Sequence, residues 1–294
     1  MLLSDFIKQS VAALESLYPH EESLSIVNLL ISQRLGVSRY LHITEPTTTI
    51  EEGQLPLLQQ DMQRLMRSEP IQYILGHSEF YGRRFAVCPD VLIPRQETEI
   101  LVQEAVNAAR RAMQREHKYR ILDLCTGSGC IAWSVALELP DAEIIALDIS
   151  EPALKVAKEQ YRSLGVPSSL SPKFLSADVL DVEHIPELGE FDMILSNPPY
   201  IVDSERDAMS DNVLEYEPHL ALFVPDDDAL RFYSAIAKWA ARLLREGGVG
   251  IFEINNLYSD ALLSLYKAEG FDKVEALSDL YGRSRFIKIH RAKE

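Results

Sequence analysis

The tetrapeptide Asn197-Pro198-Pro199-Tyr200 directly follows the apolar run FDMILS and is the segment of this sequence with the clearest chemical meaning. Neither proline has an N–H group, both have φ fixed at about −65°, and the residue before a proline is held in an extended conformation. The segment is therefore predicted to be a rigid platform that presents one side-chain amide, backbone carbonyl oxygens and an aromatic ring. Such a platform can orient a nucleophile that carries N–H groups, such as an amide or the amino group of a base.

A second candidate is the segment DLCTGSGCIA at 123–132, which joins a predicted strand to a predicted helix. Gly127 and Gly129 let the backbone turn tightly and approach a ligand without a Cβ atom in the way. Taken alone, GSGCIA also fits the dinucleotide-binding pattern G-x-G-x-x-A, which is found in NAD-linked oxidoreductases. The acidic Asp123 beside this loop favours a ligand with an ammonium group over one with a pyrophosphate.

Two further acidic residues end predicted strands. Asp148 ends EIIALD roughly twenty residues after the glycines, where a carboxylate can accept hydrogen bonds from both hydroxyls of a ribose. An alternative role for Asp148 is to cap the following helix, although Ser150 can do this as well. After the next strand, Asp178 is placed to accept a hydrogen bond from an exocyclic adenine amine, while Val179 packs on the ring.

The elements that must position these residues follow from the pattern of apolar runs. From residue 120 onward, short and nearly continuous apolar runs alternate with helical patterns, which is typical of a mostly parallel sheet covered by helices on both faces. The last two runs, FDKVEALSD and SRFIKIH, are only a few residues apart and are predicted to form an antiparallel hairpin at the edge. Ligands of such sheets bind beyond the carboxyl ends of the strands, where all the motifs above lie.

The sequence predicts three regions along the chain. Residues 1–76 contain apolar residues at helical spacing only, and residues 77–94, with aromatic residues on both sides of Gly82, are predicted to be a hairpin linker. Residues 95–294 form the α/β domain. Within it, residues 201–225 show no clear periodicity, and we expect a lid over the site.

Composition excludes several classes of protein. The 294 residues include 29 Lys and Arg against 45 Asp and Glu, and a net charge of −16 disfavours binding to nucleic acid. Cys88, Cys125 and Cys130 have no zinc-ligand spacing, so we expect no metal site and a reducing compartment. No apolar run has the length of a membrane span, and the N-terminus lacks the features of a signal peptide. We expect a cytoplasmic protein with no membrane partner.

The Asp-x-x-Thr-Gly-x-Gly loop, Asp148, Asp178 and NPPY together resemble the class I S-adenosylmethionine-dependent methyltransferases. More narrowly, the chain resembles the HemK-type peptide chain release factor N5-glutamine methyltransferases over essentially its whole length, including EPIQYILG at 69–76, LIPR at 92–95 and Glu217-Pro218. The resemblance implies an α/β fold with a Rossmann-like methyltransferase sheet, mostly parallel with an antiparallel edge hairpin, plus a small N-terminal all-α domain. The first domain would recognise the substrate.

The resemblance also implies the reaction and its residues. A methyl group would pass from S-adenosyl-L-methionine, which leaves as S-adenosyl-L-homocysteine, to the glutamine side chain in the Gly-Gly-Gln motif of peptide chain release factors. The catalytic residues would be Asn197, Pro198 and Tyr200, and Pro199 would join them in binding the substrate. We expect a monomer. The implied cofactor-binding residues are Cys125, which replaces the usual glycine of the family, Thr126, Gly127, Ser128, Gly129, Asp148, Asp178, Val179 and Asn197.

Two alternatives stay open on the sequence alone. NPPY also occurs in nucleic-acid adenine-N6 methyltransferases, which could use the same pocket on a flipped base, although the charge of −16 counts against this. A non-catalytic cofactor-binding protein would accommodate Cys125 but has no use for the platform. For Arg95, a position facing the site and an ion pair between domains are equally compatible with the sequence.

Overall fold

The computed structural model of the chain describes residues 1–113, 117–279 and 281–292. They form two compact units, the first from Met1–His77 with Ser210–Tyr216, and the second from Ser78–Met209 and from Glu217 onward. The helices are α1 (Leu3–Leu14), α2 (His20–Leu35), α3 (Leu41–Thr44), α4 (Leu55–Leu65), α5 (Ile71–Leu75), α6 (Thr98–Ala112), α7 (Cys130–Glu138), α8 (Glu151–Leu164), α9 (Asp211–Tyr216), α10 (Arg231–Leu243) and α11 (Ser259–Ala268). The strands are β1 (His77–Phe80), β2 (Arg83–Ala86), β3 (Arg120–Leu124), β4 (Glu143–Asp148), β5 (Lys173–Ser176), β6 (Phe191–Ser196), β7 (Ile201–Val202), β8 (Phe223–Val224), β9 (Leu244–Glu253), β10 (Lys273–Ser278) and β11 (Ser284–His290).

In the first unit, α1, α2, α4 and α5 bury apolar residues in one shared cluster. Along α1, Phe6, Val11 and Leu14 follow helical spacing, and all three are buried in one cluster with residues of α2 and α4. The second stretch of chain in this unit, which contains α9, is attached by a hydrogen bond. The Tyr216 hydroxyl donates to the backbone carbonyl of Arg67 at 2.7 Å.

The second unit is built on a seven-stranded sheet in the order β10-β11-β9-β6-β3-β4-β5. The strands from β9 to β5 are parallel, whereas β11 is antiparallel to both β9 and β10. This arrangement confirms the predicted fold class and the antiparallel edge hairpin. A separate two-stranded sheet of β1 and β2 lies in the predicted linker.

Both faces of the sheet are covered, as the continuous apolar strands predicted. Neighbouring residues on a strand point to opposite faces. Ile121 of β3 packs in a cluster with Trp133 of α7, and Leu122 packs in another cluster with Ile236 of α10. The strands are thus buried between two helical layers, and their carboxyl ends are held in fixed register.

The segment 201–225 is more regular than its sequence suggests. It contains α9, the short parallel strands β7 and β8, and two short 3₁₀ helices. Elements of two to six residues are too short to produce a detectable period, which is why the sequence shows none. Among the described residues, no helix is both long enough and apolar enough to cross a membrane.

Candidate functional site

The carboxyl ends of four parallel strands create the site. Strand β3 lies between β4 and β6, with Leu124 in register with Leu147 on one side and Ser196 on the other. The strand order reverses between β3 and β6, which is where ligands of such sheets bind. A cavity opens there within the second unit, and its lining includes Pro94, Arg95, Thr98, Cys125, Thr126, Gly127, Ser128, Asp148, Ile149, Asp178, Val179, Asn197, Pro199, Pro218, Leu220 and Phe232.

The loop after β3 is held by a close contact at Gly129 and by hydrogen bonds. Gly129 has φ +78°, and a Cβ atom there would lie 3.0 Å from the Cβ of Ala157, so the loop packs directly against α8. The N–H of Gly127 donates to Asp148 Oδ2 at 2.7 Å. Thr126 donates its hydroxyl to Asp123 Oδ2 at 2.6 Å, and Ser128 is buried.

Cys125 has a left-handed backbone conformation, with φ +59°. This conformation explains why glycine suits the position, since a side chain there is strained. The thiol lines the cavity, and burial raises its pKa well above the usual value, so the thiol remains protonated. The loop therefore keeps its shape with cysteine at the cost of local strain.

Asp148 faces the cavity and does not cap the helix that follows it. Its Oδ1 atom accepts the N–H of Ser150 at 2.9 Å, while the Ser150 hydroxyl caps α8 by accepting the N–H of Ala153 at 3.3 Å. Burial raises the pKa of Asp148. Each carboxylate oxygen has two lone pairs, so Asp148 can accept further hydrogen bonds from a ligand.

Asp178 and Val179 line the same cavity beyond β5. Asp178 Oδ1 accepts the N–H of Leu180 at 2.8 Å, which fixes the direction of the carboxylate. Val179 is buried, and its carbonyl accepts from the indole of Trp239 at 2.9 Å. Together with Ile149, which is 49% exposed, these residues combine apolar surface with a fixed acceptor.

The NPPY segment begins where β6 ends. Asn197 and Pro199 line the cavity, whereas Pro198, which is buried, and Tyr200 are not among the lining residues. Asn197 Nδ2 donates to the hydroxyl of Thr98 at 3.2 Å. The Tyr200 hydroxyl donates to Glu253 at 3.1 Å, and burial raises the pKa of Tyr200, which keeps that proton in place.

Two buried polar residues of the site were not predicted from the sequence. Glu253, at the end of β9, is 1% exposed and accepts from both Thr98 and Tyr200. Gln160 of α8 is fully buried and binds the backbone of Ala86 and the carbonyl of Ser128. The sequence did contain a signal for both residues, because each is a polar residue at a position where the pattern calls for an apolar one. Glu253 ends the apolar run GIFE, and Gln160 lies on the buried face of α8.

Arg95 lines the cavity and forms an ion pair within the second unit. Its Nη2 atom lies 2.6 Å from Glu217 Oε1, and Glu217, which is 4% exposed, also accepts the N–H of Ile93 at 3.0 Å. These contacts hold Glu217 and the neighbouring Pro218, within the 201–225 segment, against the wall of the cavity. The ion pair does not join the two units.

Comparison with known proteins identifies the family. Models for the methyltransferase small domain and the PrmC N-terminal domain match residues 98–218 and 5–76. The release factor glutamine methyltransferase of Bacteroides thetaiotaomicron is 38% identical over 289 residues (98% of this chain, 99% of that protein), and that of Flavobacterium psychrophilum is 36% identical over 290 residues (99% of each). The solved delta-N METTL16 MTase domain shares the fold, with TM-score 0.51 and 16% identity over 72% of this chain and 89% of that one. The chain therefore belongs to the family of release factor glutamine methyltransferases, as the sequence resemblance predicted.

Proposed function

We propose that this protein transfers a methyl group from S-adenosylmethionine to the side-chain nitrogen of the glutamine in the Gly-Gly-Gln motif of a peptide chain release factor. The observation that carries the proposal is the position of Asn197, which lies at the end of β6 in the same cavity as Asp148. Methyl transfer to an N–H nucleophile requires that the nucleophile and the methyl donor are held side by side. Asn197 offers a rigid acceptor for the nucleophile, and Asp148 offers a carboxylate for the ribose of the donor.

The lining residues fit S-adenosylmethionine by their chemistry. Asp148 has free lone pairs for the ribose hydroxyls, Asp178 has a fixed carboxylate for the adenine amine, and Val179 and Ile149 offer apolar surface to the ring. The loop from Cys125 to Gly129 would border the methionine part. When bound, this cofactor supplies a methyl group on a sulfonium ion.

The amide nitrogen of glutamine is a poor nucleophile because its lone pair is delocalised into the carbonyl. We propose that Asn197 Oδ1 and the Pro198 carbonyl each accept one N–H of that amide, which directs the nitrogen toward the methyl carbon. Tyr200, which lies outside the lining of the cavity, would hold the segment in place through its hydrogen bond to Glu253, and Pro199 would keep the segment rigid. As the N–C bond forms, the bond from the methyl carbon to sulfur would break and its electron pair would stay on sulfur. The nitrogen becomes acidic only on alkylation and would lose its proton to water, so no strong base is needed.

A decisive assay uses labelled S-adenosylmethionine with three separate acceptors. A release factor should be methylated, its Gln→Ala variant in the Gly-Gly-Gln motif should not, and duplex DNA should stay unlabelled. Label that remains on the Gln→Ala variant would refute glutamine as the acceptor. Label on DNA in place of the release factor would identify an adenine methyltransferase.

We further propose that the first unit binds the body of the release factor. Such remote contacts would raise the effective concentration of the glutamine at the site. Two exposed apolar side chains in and beside α3, Tyr40 and Ile43, are 67% and 64% exposed and are suited to this role. The double substitution Tyr40→Ser and Ile43→Ser should raise KM for the intact factor by about tenfold, from the loss of roughly 1.4 kcal/mol of contact energy.

The same pair of substitutions should leave KM for a short Gly-Gly-Gln peptide unchanged, because the peptide lacks the body of the factor that the first unit is proposed to bind. Leu257→Ser removes a comparably exposed apolar residue, 69% exposed, from the second unit and is the matched control. An unchanged KM for the intact factor in the double variant would contradict the role of this surface.

A further inference from the structure

We infer that Glu253 is a positioning residue that determines, through the hydroxyl of Thr98, which atom of the Asn197 amide faces the substrate. The inference rests on the proposed role of Asn197 as an acceptor. Its structural basis is an uninterrupted chain of hydrogen bonds. Glu253 Oε2 accepts from the Thr98 hydroxyl at 2.7 Å, and Asn197 Nδ2 donates to that same hydroxyl oxygen at 3.2 Å.

The chain of hydrogen bonds has only one consistent direction. A threonine hydroxyl has a single proton, and here that proton is donated to the Glu253 carboxylate. The oxygen of Thr98 can therefore only accept from Asn197, which selects the NH₂ end of the amide. Oδ1 of Asn197 is then left free to accept an N–H.

Without that selection, the two ends of the amide are nearly equal in shape and either could face the cavity. If the side-chain amide of Asn197 were rotated so that Oδ1 and Nδ2 changed places, its NH₂ group would face the N–H groups of the substrate amide. Two hydrogen-bond donors would then face each other, and no hydrogen bond could form. The glutamine would then lose an acceptor and be repelled at the position where it must react. The orientation of one side chain therefore decides whether the platform attracts its substrate.

Glu253 is suited to this role because a carboxylate only accepts hydrogen bonds. Oε1 accepts the Tyr200 hydroxyl at 3.1 Å, so one group sets the direction of two hydroxyls in the site. Burial and the charge of Glu97 raise the pKa of Glu253, while the hydrogen bonds from Thr98 and Tyr200 and the charge of Arg285 favour its ionised form. A glutamine in its place would present an NH₂ group to one of the two hydroxyls.

The test compares three substitutions by steady-state methylation of the release factor and by calorimetric binding of S-adenosylmethionine. Glu253→Gln and Thr98→Val should each lower kcat by about 10²-fold, the typical effect of losing one oriented polar group, with cofactor Kd within about threefold. Thr98→Ser keeps the hydroxyl and should restore most of the rate. Because both residues act through one chain, the double variant Glu253→Gln, Thr98→Val should lose far less than the product of the single losses.

Two matched controls separate positioning from folding. Asp192→Asn alters another buried carboxylate, which accepts the N–H of Arg120 on the sheet, and Ser134→Ala removes another buried hydroxyl. Both should change the free energy of unfolding and leave kcat near the wild-type value. A loss of kcat in these controls as large as in Glu253→Gln would overturn the inference.

A measurement without turnover makes the inference independent of the substrate. In protein labelled with ¹⁵N-asparagine, the side-chain signal of Asn197 is assigned by its loss in Asn197→Asp. It should shift in Glu253→Gln and Thr98→Val and stay in place in Thr98→Ser and both controls. If it does not move, Glu253 does not orient Asn197, whatever the acceptor proves to be. A wild-type enzyme that methylates no release factor would overturn the proposed function instead.

Discussion

Replacement of Asp148 tests the cofactor site most directly, because its carboxylate has two structural partners and one proposed ligand. Its two oxygens accept the N–H groups of Gly127 at 2.7 Å and Ser150 at 2.9 Å. Asp148→Ala also removes the acceptor of the ribose hydroxyls, a loss of about 1.5–3 kcal/mol of binding free energy for hydrogen bonds to a charged group. The dissociation constant for S-adenosylmethionine should therefore rise by about 10- to 150-fold.

Asp148→Asn separates charge from shape. An asparagine has one acceptor oxygen, so its NH₂ group must oppose the N–H of either Gly127 or Ser150, and the free energy of unfolding should fall. Isothermal titration with the cofactor and urea unfolding measure the two effects independently. Asp192→Ala, which removes another aspartate that accepts a backbone N–H, is the control and should lower stability without changing the cofactor constant. If Asp148→Ala leaves that constant within threefold and only lowers stability, the carboxylate serves the loop alone.

Three other substitutions test separate parts of the site. Asn197→Ala should lower kcat by about 10²–10³-fold while calorimetry finds the cofactor constant within a few fold; a rate near wild type would exclude the catalytic role. Burial raises the pKa of Asp123 to about 7, so the folded state keeps this proton to higher pH than the unfolded chain, and wild-type stability should fall as pH rises from about 4 to 7. Asp123→Asn lacks this dependence. The difference in unfolding free energy between the variant and wild type, measured by urea titration, should therefore rise by at most about 4 kcal/mol between pH 4 and pH 7. A difference that does not change with pH would show that Asp123 has an ordinary pKa. At Cys125, φ +59° predicts that Cys125→Gly is more stable than Cys125→Ala by about 1 kcal/mol in the same assay, and equal stability would mean that the loop relaxes.

The main elements of the fold could be predicted from the sequence because the relevant signals are local. The apolar strands, the edge hairpin and the capping of α8 by Ser150 each depend on residues within a few positions of one another. The convergence of the glycine loop, Asp148 and NPPY at one edge of the sheet followed from the rule that parallel strands share a carboxyl edge. The assignment of these residues to cofactor and substrate stays a prediction.

The contacts that hold the site in shape could not be predicted in this way. Thr98 and Glu253 are far apart in the chain and meet only because the start of α6 packs beside the carboxyl end of β9. Periodicity marks Gln160 as lying on a buried face but does not reveal that it binds the backbone of Ala86. Such contacts depend on the packing of distant elements, which composition and spacing do not specify.

The first unit is assembled from two separate stretches of chain, Met1–His77 and Ser210–Tyr216. The polypeptide therefore passes from one unit to the other three times, and the first unit is not formed by a single continuous segment of the sequence. A chimera that exchanges only residues 1–77 with a relative would leave the recipient's Tyr216 opposite a foreign backbone where Arg67 now accepts its hydroxyl. A chimera designed to keep this unit whole should therefore carry both stretches together.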